Sequence, residues 1–262
     1  MTLVAVTRPV SVSINRCELT HVSRAPIDLA RARAQHAAYE DALAQAGCTV
    51  VRLDEAPDLA DSVFVEDAAV VCDEAAIIMR SGAESRRPET PPVADLLRRY
   101  RTVLEVQAPA TIDGGDVLVA GRTVFVGQTR RTNADAVRQM KGALEPHGYE
   151  IRAVTVRGCL HLKSAVTALT DHCLLMNPAW VSRDSLSSFD VVRVDSGEPA
   201  AANIVRAGGQ LIYSNAFPRT RRTLEQLGLD VRVVEVTELA KAEAAVTCCS
   251  LIFPIHPNLT KW

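Results

Sequence analysis

No hydrophobic run in the sequence reaches bilayer-spanning length, which argues against membrane-crossing helices. Charge of one sign is also scarce: the net charge is −2 and no five like charges occur in a row, so nucleic acids and anionic membrane surfaces fit poorly as partners. A small molecule fits better. The start, Met1 to Pro9, has no charged leader ahead of its short apolar run, and it reads as a strand of the mature protein rather than a signal peptide. Seven cysteines, an odd number without zinc-type paired spacing, suggest reduced thiols and a cytoplasmic location. No Pro-, Gly- or Ser-rich linker divides the chain, so residues 1–262 are expected to form one domain.

What the sequence does contain is a repeat. A helix capped by Asp28 and stopped at Gly47 separates the first strand from a second at Thr49–Leu53. The order strand, strand, helix, strand then recurs, each hairpin opening on a polar or cysteine residue: Asp67, Asp116, Ser164, Asn203 and Cys249. These landmarks return every 40–50 residues or so, a period typical of propellers, solenoids and arrays. The fifth copy lacks its last strands, which the N-terminal strand and helix can supply. The expected fold is therefore α/β, a closed five-module ββαβ propeller with pseudo-fivefold symmetry. The segment Arg86 to Pro92 reads as a loop.

Near the C-terminus, Cys248 and Cys249 interrupt an apolar stretch, Ala245 to Phe253, that reads as a buried strand. Adjacent cysteines in such a stretch usually serve packing. Taken singly, Asp113-Gly114-Gly115-Asp116 is a turn, His161 an ordinary histidine, and Glu66-Asp67 a solvated strand end. Yet all of them lie beside equivalent landmarks, and equivalent strand starts converge at the axis of a propeller. A cysteine and a histidine meeting there form a nucleophile with its acid–base partner, and Asp113 would fix the histidine tautomer. Glu66 and Asp67 suit a planar guanidinium, while Arg86 and Arg131 suit a carboxylate at the ligand's far end.

The motifs Phe64-Val65-Glu66-Asp67, Asp113 to Leu118, Arg131-Thr132-Asn133, Leu160 to Ser164 and Thr247 to Ser250 together resemble the dimethylarginine dimethylaminohydrolase family. The resemblance implies a five-bladed ββαβ propeller that hydrolyses N-omega-methylated arginine to citrulline and an amine, without metal or organic cofactor. It implies Cys248 as nucleophile, Cys249 as a packed neighbour, His161 as acid and base, and Asp113 as its partner. By the same resemblance Glu66 and Asp67 meet the guanidinium, Arg86 and Arg131 the α-carboxylate, and Asp61 the amino end. Main-chain contacts fall to Leu19 and Ala242. The stretches around Leu19 and Ala242 match only loosely, and the tail Ile255 to Trp262 has no counterpart, so the preferred guanidine stays open. Alternatives are an arginine deiminase or amidinotransferase, a non-catalytic guanidine-binding protein, and a zinc site on Cys248 and His161. The sequence leaves the oligomeric state open, a homodimer included.

Overall fold

The computed structural model describes residues 2–255, which form five three-stranded sheets. Strand β1 (Thr2–Thr7) leads through helix α1 (Leu29–Gln45) to β2 (Cys48–Arg52). The second sheet holds β3 (Ala69–Val71), β4 (Ala75–Ile78), helix α2 (Thr90–Leu97) and β5 (Thr102–Glu105). The third holds β6 (Val117–Ala120), β7 (Thr123–Gln128), helix α3 (Ala134–Leu144) and β8 (Glu150–Thr155). The fourth opens with a single helical turn, α4 (Leu162–Ala165), followed by β9 (Val166–Ala168), β10 (Cys173–Met176) and β11 (Asp190–Arg193). The fifth has β12 (Val205–Ala207), β13 (Gln210–Ser214), helix α5 (Pro218–Gln226) and β14 (Val231–Val234). After another short turn, α6 (Thr237–Ala240), the strand β15 (Leu251–Ile255) returns to pair antiparallel with β1.

In every sheet the first two strands are antiparallel and the last two parallel, the order expected from the sequence. The middle strands β4, β10 and β13 are almost wholly buried, which is why they read as continuous apolar runs. Capping behaves as the sequence suggests: Asp28 accepts the Arg31 N–H at the start of α1, and Asn133 accepts the Ala136 N–H at the start of α3. Helix α3 then buries Ala136, Met140 and Leu144, one residue per turn.

Five apolar clusters fill the spaces between consecutive sheets. Val4 and Val6 pack with Ala76 and Ile78; Ile77 with Val124; Phe125 with Leu174; and Leu175 with Tyr213. The fifth cluster joins Ile212 and Val234 of the last sheet to Ala5, Cys48 and helix α1 of the first. A ring of polar bonds runs parallel to these contacts. Glu66 accepts from the Thr247 hydroxyl (2.7 Å), Asp67 from the Gly115 N–H (2.9 Å), and Asp116 from the Leu162 N–H (2.9 Å). Asn203 donates to the Lys163 carbonyl (3.0 Å) and accepts the Thr247 N–H (3.0 Å).

Two expectations are corrected. The landmark residues do not open strands: Val65–Ala68, Gly114–Asp116, α4 and Val246–Cys249 are single helical turns placed just before β3, β6, β9 and β15. A strand would alternate its side chains between faces, whereas a turn fans consecutive residues around one corner. Arg86 to Pro92 is likewise helical, spanning the turn Glu84–Glu89 and the start of α2. Pro91 and Pro92 fit in the first turn of α2, where N–H groups need no intrahelical acceptor; Pro88 lies inside the preceding turn, along which buried Arg86 and Glu89 pair. Among the described residues no helix is long and apolar enough to cross a membrane. All but Ile255 of the tail Ile255 to Trp262 lies outside the described residues.

Candidate active site

The four helical turns deliver side chains from four different sheets to one small region. Cys248 is the third residue of the turn before β15, where its sulfur accepts the Ala245 N–H at 3.4 Å. Cys249, one residue on, points into the core and is fully buried. His161 precedes α4, Asp113 precedes the turn before β6, and Asp67 sits in the turn before β3. A narrow cleft is lined by Cys248, His161, Asp67, Asp61, Arg86, Arg131 and Ala242, so seven of the ten sequence-selected residues meet there. Asp113 lies directly behind it, wholly buried and bonded to His161.

Asp113 Oδ2 lies 3.1 Å from His161 Nε2 and 3.2 Å from Arg131 Nη1. On the other side of the ring, Asp67 Oδ1 is 3.8 Å from His161 Nδ1. Burial alone would discharge the imidazole, but the charge of Asp67, the Asp113 hydrogen bond and the charge of Asp116 outweigh it and lift the His161 pKa to about 9. Burial also opposes ionisation of Asp113, yet His161, Arg86 and Ser81 hold its carboxyl below the usual carboxylate range. The Cys248 thiol goes the other way. Burial, then the charges of Glu66 and Asp67, push it up to about 12 despite the Ala245 N–H and Lys163. The unliganded site therefore pairs a neutral thiol with an imidazolium at neutral pH.

The doublet Gly114-Gly115 owes its composition to close approach. A Cβ on Gly115 would come within 2.5 Å of His161 Nδ1, and one on Gly114 within 2.0 Å of the Glu66 carbonyl oxygen. Larger residues would displace the histidine.

The acidic pair Glu66-Asp67 splits. Asp67 faces the cleft and binds Arg86 Nη1 at 2.5 Å. Glu66 turns to the other side, gripping Lys163 Nζ at 2.5 Å and the Thr247 hydroxyl, and it lines a separate cavity of about 790 Å³ between the inner strands. That larger space has neither Cys248 nor His161 in its wall. Glu66 thus reaches Cys248 by charge rather than through the cleft. Arg86 is buried and already engages Asp67, Glu89 and the carbonyls of Asp61 and Phe64. Arg131 makes an ion pair to Asp113 and is the less committed of the two arginines.

Leu19 does not line the cleft; its neighbour Glu18 does, and Leu19 packs against an apolar cluster. The Glu18 N–H binds Asp61 at 3.1 Å, and its carboxylate accepts from the Ser85 hydroxyl at 2.5 Å. The Thr20 and His21 N–H groups bind the carboxylate of Glu243, which holds a left-handed φ of 57°. With the loop so tied, the cleft offers about 20 Å³, roughly the room of one water. That is too small for an amino-acid ligand, so residues lining the cleft must move to admit one. Ligand atoms of Asp67, Asp113 and His161 fall within 4.8 Å of one another, a spacing a metal could use. Those oxygens already accept from Arg86, Gly115, Arg131 and Ser81, as in an ion-pair network.

Sequence reading did not select Glu18, Glu243, Ser81, Lys163 or Thr247. Lys163 and Thr247 lay inside quoted motifs, but their shared partner, Glu66, is 97 and 181 residues away. No local pattern carries such a pairing.

A family model described as N,N dimethylarginine dimethylhydrolase, eukaryotic, matches residues 12–185. An N(G),N(G)-dimethylarginine dimethylaminohydrolase of Streptomyces coelicolor is 42% identical over 236 residues, 89% of this chain and 90% of the relative. Its namesake from Pseudomonas aeruginosa is 35% identical over 228 residues, 86% and 90% of the two chains. The solved structure of a Pseudomonas aeruginosa enzyme of this name, complexed with citrulline, superposes with a TM-score of 0.92 at 32% identity, covering 97% of this chain and all of the other. An arginine dihydrolase N-terminal domain shares the fold at a TM-score of 0.86 and 19% identity. The mixed α/β architecture of five small sheets, the Cys248–His161 cleft and these likenesses lead to one assignment: the chain belongs to the dimethylarginine dimethylaminohydrolase family.

Proposed function

We propose that the protein hydrolyses N-omega-methylated arginine to citrulline and dimethylamine or methylamine through a covalent intermediate on Cys248. The observation that carries this reading is the half-buried Cys248 thiol in one cleft with the His161–Asp113 pair. The Streptomyces and Pseudomonas relatives carry the name of this activity, and the Pseudomonas structure holds citrulline.

In this reading Asp67 meets the substrate guanidinium, and Asp61 the α-amino end. Arg131, helped by Arg86, takes the α-carboxylate, with main-chain contacts from the loop at Leu19 and from Ala242. Glu66 acts at a distance, through its charge. An incoming guanidinium sets a positive charge beside a thiol that burial, and then Glu66 and Asp67, otherwise hold neutral, so binding itself favours loss of the thiol proton to solvent. The thiolate attacks the guanidinium carbon and a C–S bond forms. His161, protonated up to about pH 9, gives its proton to the departing amine as the C–N bond breaks. The neutral imidazole then takes a proton from water as its oxygen adds to the thiouronium carbon. The C–S bond breaks with its electron pair returning to sulfur, which takes the hydroxyl proton of the collapsing adduct; citrulline leaves, and thiol and imidazolium are restored. No step draws on a metal or organic cofactor.

The same proposal takes residues 2–255 as one domain and a closed five-module propeller. Supporting closure are the β15–β1 pairing, the apolar cluster joining the last sheet to the first, and the polar ring from Glu66 round to Thr247. A small guanidine is the proposed partner.

Dimethylarginine and arginine, offered separately to the wild type and to Cys248→Ala, decide the matter. Citrulline with dimethylamine from dimethylarginine, abolished in the variant, is expected. Ammonia from arginine as the faster reaction would make the protein an arginine deiminase, and no citrulline from either would end the hydrolase reading.

A further inference from the structure

We infer that the Ser81 hydroxyl is a positioning residue for the catalytic pair, fixing the rotamer of the Asp113 carboxylate and tempering its pull on the His161 proton. This rests on the reading of His161 as the proton donor. Asp113 Oδ1 accepts the Ser81 hydroxyl at 2.7 Å and the Gly82 N–H at 3.1 Å, while Oδ2 serves His161 and Arg131. Among the described residues, Ser81 is the one hydroxyl bonded to this carboxylate. The direction of its proton is settled locally. Ser81 Oγ accepts the Ala83 N–H at 3.2 Å, so the hydroxyl hydrogen is left for Asp113.

The stretch carrying Ser81 has little freedom to give way. Its carbonyl accepts from Arg87 Nε at 3.2 Å, the preceding Arg80 carbonyl accepts the Ile112 N–H at 2.9 Å, and a Cβ on Gly82 would sit 2.6 Å from the Arg131 carbonyl oxygen. Ser81 is therefore a fixed donor from the second sheet acting on an acid of the third, which in turn orients the histidine of the fourth.

The groups facing His161 are Asp67 from the second sheet, Asp113 and Asp116 from the third, Cys248 across the shared cleft, and Cys159, whose thiol donates to the His161 carbonyl. Arg86 and Arg131 stand on the far sides of Asp67 and Asp113. Against this charged background Ser81 contributes a donor without net charge. Removing it leaves Asp113 with one donor fewer, makes its carboxylate more basic, and so strengthens its hold on the imidazolium proton.

Ser81→Ala and Ser81→Thr, compared with wild type, test this by NMR titration of the His161 ring, with His161→Asn identifying the signal, alongside pH profiles of kcat for dimethylarginine. The expected result for Ser81→Ala is a His161 midpoint raised by about half a pH unit. Its high-pH limb of kcat should move with it, and kcat at pH 7 should fall about threefold with KM within about twofold. Ser81→Thr should restore both. A midpoint unchanged in Ser81→Ala, or the same displaced midpoint in Ser81→Thr, would overturn the inference. Because the ring titration needs no turnover, failure of the proposed hydrolysis would show separately, as absence of citrulline.

Discussion

Replacing Glu66 by glutamine should make Cys248 easier to alkylate in the free protein, although Glu66 does not line the cleft. The charge of Glu66 ranks just after burial among the causes that push the thiol up to about 12. Glutamine keeps the shape and removes the negative charge; its single carbonyl oxygen can still accept from Lys163, and its NH2 group then faces the Thr247 hydroxyl, which accepts in place of donating. A like charge removed at close range typically lowers a neighbouring pKa by about one unit or more. One unit raises the thiolate fraction about tenfold at pH 8, while the less basic sulfur loses about a threefold in nucleophilicity, so the net gain is about threefold. The assay is the iodoacetamide rate at pH 8 without substrate, with the modified cysteine located by peptide mass. Cys249 is an internal control, since it is fully buried and its thiol is also pushed up. An unchanged or slower rate at Cys248 would show that Glu66 does not set the charge balance at the sulfur.

Lys163→Met strands the buried Glu66 carboxylate and should cost about 3–5 kcal/mol, seen as a melting point lower by about 10 °C and partly restored by adding Glu66→Leu. Turnover at saturating substrate should fall as pH rises through about 9, because His161 is raised above its ordinary value and its protonated form is present below that pH and lost above it. Stopped assays between pH 7 and 10 check this, and a constant kcat would contradict it. Glu243→Ala frees the Thr20 and His21 N–H groups, so hydrogen exchange at those two amides should accelerate about tenfold or more while the strands keep their protection.

How legible the molecule was depended on the range of each interaction. Strand order and the parallel crossovers follow from local periodicity, and helix starts such as Asp28 and Asn133 are set by neighbours three residues away. The site was legible because the repeat places chemically capable residues at equivalent positions, which brings Cys248, His161 and Asp67 to one cleft. The helical turns at those positions were not, since four residues such as Val246–Cys249 give too short a stretch for periodicity to show. Pro91 and Pro92 misled in the opposite direction, because prolines break helices inside but suit their first turns. The role of Glu66 was hidden by an ion pair to Lys163, and that of Ser81 by its bond to Asp113, 32 residues on. Leu19 lies in a loop whose register is set by Asp61 and Glu243, both remote in sequence.

Acid-quenching the protein during turnover of dimethylarginine and measuring its intact mass, then its peptides, tests the central claim most directly. A thiouronium adduct confined to Cys248 and absent from Cys248→Ala is expected. An adduct on Cys249, or sustained citrulline formation by Cys248→Ala, would contradict it.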